Sequence, residues 1–203
     1  MWLTVNEVVQ LKQATWISLV AEVEADDHLQ QIFDKSRTPH GTLDNVIRIH
    51  SLRPAIMIGH LTLYKSVLHS DEITLSLWFL EVIAAYVSIL NSCEYSLMHH
   101  WRNGVRLIDN PQREAAIQTV LRSQSFENIF NKKEIATLNY SRTVICDVGN
   151  LKKNDVTKLR KAGCDDMEIL EMNEVIAYFN YSNRVLNGID VSFDGKKIGY
   201  YSS

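Results

Sequence analysis

A chain of 203 residues is long enough for one domain, or two tightly fused halves, with an ample core. Its formal net charge of −3 and the absence of a basic stripe argue against nucleic acid as the main partner. The three cysteines, Cys93, Cys146 and Cys164, are odd in number and widely spaced, so they do not form a disulfide framework and fit a reducing cytoplasm.

Most of the chain carries helical spacing. Residues 1 to 20 allow a short strand or an arm, and their mixture of polar, acidic and apolar residues does not read as a signal peptide. Asp26 to Ser36 has acids at its start and apolar residues at helical intervals, which predicts a short helix. Thr38, Pro39 and Gly41 mark a loop. A short helix is expected over Leu43 to His50, and Arg53-Pro54 opens another, with proline at a tolerated early position. After the central segment, Asn110-Pro111 restarts a helix through Leu121, and Asn131 with Glu134 is a capping-box pattern for a helix running to about Cys146. Val148 to Asn154 reads as a polar loop. Asp155 to Ala162 reads as a short helix closed by Gly163. Asp165 and Glu168 cap a last helix that ends at Asn187-Gly188, and Val191 to Tyr200 is open to a strand.

The centre is Leu75 to Ile108. Leu75 to Leu90 is apolar almost all round, the mark of a buried helix, yet Glu81 sits in its middle. A buried carboxylate needs a partner or stays protonated. Ile73 to Leu90 is nearly long enough to cross a bilayer. A central Glu costs about 2.5–3.5 kcal/mol there and no other stretch is comparable, so a buried core helix is the reading. Asn91 and Glu94 form a capping-box pattern that starts a second helix, with Cys93 in its first turn. Free N–H groups and the helix dipole favour a thiolate at such a place. Ser96 and His100 follow on the same helical face as Cys93. These residues are the parts of a thiol served by an acid/base relay, and Cys93 is expected to be the most reactive of the three thiols.

Glu81, then Cys93-Glu94-Tyr95-Ser96, then His100 resembles the E…CxxC…H signature of the AhpD-like alkylhydroperoxidases of the carboxymuconolactone decarboxylase family. Val46 to Pro54, Ile89 to Tyr95 and the ending Leu159 to Val191 are similar to the flanks and end of the family's uncharacterised peroxidase-related subgroup. The resemblance covers about residues 22 to 194. It divides the chain into an arm (1–21), an AhpD-like domain (22–194) and a tail (195–203). It implies an all-α AhpD-like fold with a central buried helical hairpin, assembled as a homo-oligomer; the charge, the cysteines and the central Glu make the expected protein cytoplasmic, with neither membrane nor nucleic-acid partner. It also implies peroxide reduction by a cysteine pair. One thiolate is oxidised to a sulfenic acid and its neighbour closes a disulfide, while Glu and His move the protons. Glu81, Cys93 and His100 match that pattern, and Ser96 stands where the family has its second cysteine, the one that the relay addresses. The candidate catalytic set is therefore Glu81, Cys93, Ser96 and His100, without cofactor or metal. A peroxide is the expected substrate, with an external thiol as reductant and a turnover weakened by CxxS. The alternatives are a redox-inactive relative kept for binding or scaffolding and, more weakly, a lactone decarboxylase.

Other residues have ordinary readings. Cys93 alone would pass for a small buried hydrophobe, and Glu81 for a helix anchor. His99 points about 100° away from His100 and is expected in solvent or at an interface. His28, His40, His50, His60 and His69 show no zinc spacing. Tyr178, Phe179 and Tyr181 read as core or subunit interface. Asn180, Asn183 and Arg184 are polar groups in an apolar helix, placed to hold the loop before the candidate site or a partner subunit.

Overall fold

The computed structural model describes residues 14–192 and 199–201. Among these residues it contains nine α-helices, two short 3-10 turns and no strand. The helices are α1 (Asp27–Lys35), α2 (Asn45–Arg48), α3 (Pro54–Leu68), α4 (Leu77–Leu90), α5 (Glu94–Ile108), α6 (Pro111–Ser123), α7 (Lys132–Cys146), α8 (Lys153–Lys161) and α9 (Asp166–Gly188).

Local chemistry sets most boundaries. Asp26 accepts the Leu29 N–H at 2.8 Å and starts α1. Pro54 and Pro111 occupy first-turn positions of α3 and α6, where their missing N–H costs nothing. Reciprocal capping boxes, Asn131 with Glu134 and Asp165 with Glu168, start α7 and α9. Gly163, at φ 101°, turns the chain after α8 in the left-handed region. The stretch expected as a loop from Val148 to Asn154 holds a 3-10 turn over Val148–Asn150, and α8 begins at Lys153. The helix expected over Leu43 to His50 is shorter, confined to α2.

The central helix is α4. Every residue from Phe79 to Ser88 is buried, and α5, α7 and α9 pack around it. Leu80, Ile83 and Tyr86 each lose all or nearly all exposure, which stabilises the fold by roughly 1.5–3 kcal/mol per aliphatic side chain. At the start of α4, the Glu171 carboxylate of α9 accepts the Thr74 and Leu75 N–H groups at 3.0 and 3.1 Å. A second apolar cluster joins α1, α2 and α3 through Leu29, Phe33, Ile47 and Met57.

The hairpin between α4 and α5 departs from expectation. Asn91 ends α4 instead of capping α5, Ser92 takes a left-handed conformation at φ 52°, and Cys93 is the N-cap of α5. The Asn91 side chain is used elsewhere, donating to Asn180 Oδ1 at 3.1 Å. The Asn187 side chain donates to the Asn91 carbonyl at 3.0 Å, and Arg184 reaches Asn91 Oδ1 at 3.4 Å. The polar stripe on α9 thus holds this loop. At the ends of the described chain, Trp16 N donates to the Ile189 carbonyl and Ser192 N to the Ala14 carbonyl, each at 2.9 Å. These links form no strand, and the arm before residue 14 and most of the expected strand after Val191 lie outside the described residues. No helix among the described residues is long and apolar enough to cross a membrane.

Candidate functional site

The centre of α4 carries Glu81 into the core at zero exposure, and α5 supplies its partners. His100 Nδ1 lies 2.7 Å from Glu81 Oε2, and Asn103 Nδ2 donates to Oε1 at 3.2 Å. His100 and Asn103 are three residues apart, so one helical face presents both to the carboxylate. Both oxygens are occupied, as a buried polar group requires. A carboxylate at Nδ1 fixes the imidazole orientation and leaves Nε2 for other chemistry. The edge of the Phe179 ring packs on His100, with centroids 4.4 Å apart.

Ser96 lies one turn before His100. Its hydroxyl is 2.9 Å from that of Ser88 on α4, and Asn183 of α9 donates to Ser88 at 3.2 Å. Ser96 and His100 line the same cavity, so Glu81, Ser96 and His100 do come together.

Cys93 does not join them in that lining. It is 1 % exposed, packed in a separate apolar cluster with Ile49, Tyr95, Leu186 and Val191. Burial pushes its thiol up. The Ser96 N–H pulls the other way and the Glu94 charge adds to the rise. Desolvation thus overrides the expected helix-start activation. Cys164 is buried as well, and the exposed thiol is Cys146 at the end of α7.

The cavity has a volume of about 70 Å³, room for about two waters at roughly 30 Å³ each. Ser96, His100 and Asn103 form its polar side. Tyr64, Tyr95, His99, Tyr178 and Tyr200 supply aromatic walls, and Arg37 and Lys65 stand on the α1–α3 side. His99 is half-buried and stacked on Tyr95 with ring centroids 4.6 Å apart. Several of these residues escaped the sequence reading. His60 faces the cavity with Nε2 3.1 Å from the Tyr178 hydroxyl, and His50 packs on it at 4.7 Å. Burial, then the nearby His50, lowers His60 to about 4. Tyr64 is pushed well above the usual phenol range by burial and next by the Glu81 charge. The only sequence signal for this group was the Tyr178–Tyr181 stripe. Tyr178 and Phe179 are buried as expected of core, while Tyr178 also lines the cavity.

The sequence matches no family model and no curated protein. Its fold does match solved structures. The AhpD core of an uncharacterized peroxidase-related protein from Ralstonia eutropha JMP134 aligns with a TM-score of 0.76 at 18% identity, covering 88% of this chain and 92% of that one. An uncharacterized peroxidase-related protein from Silicibacter sp. TM1040 gives 0.76 at 22% identity, over 89% and 92%. The debrominase Bmp8 gives 0.69 at 17% identity, over 90% and 92%.

Proposed function

This chain has the AhpD-like helical fold, and we propose that it is a peroxidase-related protein that keeps the proton relay and lacks the redox thiol the relay would serve. The observation that carries this reading is the buried Glu81–His100 pair at 2.7 Å, placed beside a cavity where residue 96 offers a hydroxyl. A hydroxyl can hydrogen-bond a peroxide or a water, but it cannot be oxidised to a sulfenic acid or close a disulfide. Cys93 is then the one thiol near the site, with an external thiol as resolver and its own burial against it. Peroxide turnover is weak, at the level of an impaired oxidoreductase. The exposed Ile56 and Leu63, seven residues apart on one face of α3, support homo-oligomeric assembly through that face.

The decisive experiment replaces Ser96→Cys and follows consumption of hydrogen peroxide with dithiothreitol. Positions 93 and 96 then carry the CxxC spacing, and His100 lies one turn beyond the new thiol. Activity is expected to rise by about a hundredfold or more, the usual size of general acid–base assistance. Robust and equal turnover by wild type would overturn the reading. Inactivity of both proteins with an intact fold would favour the second reading, a redox-inactive binding protein. That reading is supported by the sealed Cys93 beside a formed cavity.

A further inference from the structure

We propose that the segment Gly199–Tyr201 is a built wall of the Glu81–His100 site, and that Tyr200 is a specificity-determining residue limiting the size of ligand the cavity admits.

The segment is anchored on α5 along three successive residues. Gly199 N donates to His99 Nδ1 at 3.3 Å, Tyr200 N donates to Asn103 Oδ1 at 2.7 Å, and the Tyr201 carbonyl accepts from Arg106. His99, Asn103 and Arg106 recur at helical spacing, so one face of α5 receives the whole segment. Asn103 is the same amide that donates to Glu81 Oε1. The wall therefore rests on the group that holds the buried carboxylate. The Tyr200 ring packs on His69 with centroids 4.5 Å apart and meets the edge of Tyr64, which also lines the cavity, at 6.4 Å.

Glycine at 199 is part of the fit. Its φ is +93°, and a Cβ there would lie 3.0 Å from Asn103 Oδ1 and 3.1 Å from Arg102 Cγ. A side chain at this position is both strained and too close to α5. The ordinary account of a segment lying loosely on a helix requires none of these features.

The test uses the full chain and diethyl pyrocarbonate, which acylates accessible imidazole nitrogens, with peptide mass spectrometry as the readout. Gly199→Ala unseats the segment while keeping the identity of every lining side chain, and Tyr200→Ala opens the wall itself. Labelling of His99 and His100 is expected to rise about tenfold in both variants relative to the exposed His28, as for a site released from local protection. Tyr200→Phe retains the ring and is expected to label as wild type does. Wild-type labelling rates in Gly199→Ala and Tyr200→Ala overturn the wall.

The size-limiting role rests on the proposed function and is read in the Ser96→Cys background. There each hydroperoxide ROOH and one dithiol give ROH, water and a disulfide, so two electrons pass from sulfur to oxygen. Tyr200→Ala is expected to raise turnover of cumene hydroperoxide relative to hydrogen peroxide severalfold. An unchanged ratio alongside raised labelling overturns the size limit. Inactive Ser96→Cys protein with raised labelling upholds the wall and removes the peroxidase reading instead.

Discussion

His60 sits 4 % exposed between His50 and Tyr178, and its Nδ1 has no partner among the described residues. Its folded value of about 4 lies below the 6.5 of a free imidazole. Between those values the unfolded chain binds a proton that the native chain does not. Stability therefore rises with pH across that window. It is complete above about 6.5 and is lost as pH falls toward about 4, with an order of magnitude of about 3 kcal/mol at the acid end. His50 is lowered too, chiefly by burial, and acts with the same sign. Urea unfolding of wild type and His60→Phe, near neutral pH and near pH 4.5, checks this. The variant is expected to lose a large part of the acid destabilisation, and parallel pH dependences in the two proteins would refute it.

Capping shows how far single elements could be read from sequence. Asn131 with Glu134 and Asp165 with Glu168 are local patterns, and both start helices as expected. Asn91 with Glu94 has the same letters and fails. The left-handed Ser92 and the bond from Cys93 N to the Ser88 carbonyl carry the chain past that position before α5 begins. What decides between them is α9, nearly a hundred residues away, where Asn180 claims the Asn91 side chain. Distance explains the site as well. Glu81 and His100 were legible because a signature spans them. Tyr200 meets Asn103 across 97 residues and His60 meets Tyr178 across 118, with no local pattern to announce either pair. Which effect governs Cys93 was not legible, because helix-start geometry is local while burial is tertiary. Where the cap is real it should be measurable. Asp165→Ala is expected to lower stability by about 1 kcal/mol, seen as a lower urea midpoint with unchanged slope, and no change would mean that solvent replaces the cap.

The molecule as a whole is arranged around α4, with α5, α7 and α9 packed against it. Its amides should open only when the entire fold opens. In hydrogen exchange followed by mass spectrometry, peptides from residues 79–88 are expected to be the slowest of the chain, while those from the exposed turn over Val148–Asn150 exchange early. Fast exchange in α4 would mean that the α4–α5 hairpin opens as a separate unit. The same central position gives the serine at 96 a wider meaning. Thiol sites are consumed by their own chemistry, since excess oxidant carries the sulfur on to sulfinic and sulfonic acids from which most do not return. Here the position beside the Glu81–His100 pair holds oxygen, and Cys93 is sealed in apolar packing. The thiol open to excess oxidant is Cys146, outside the cavity lining, in addition to the exposed thioethers of Met98 and Met167. On the proposed function, the Glu81–His100 pair is expected to outlast oxidant exposure that would inactivate a dithiol version of the same fold.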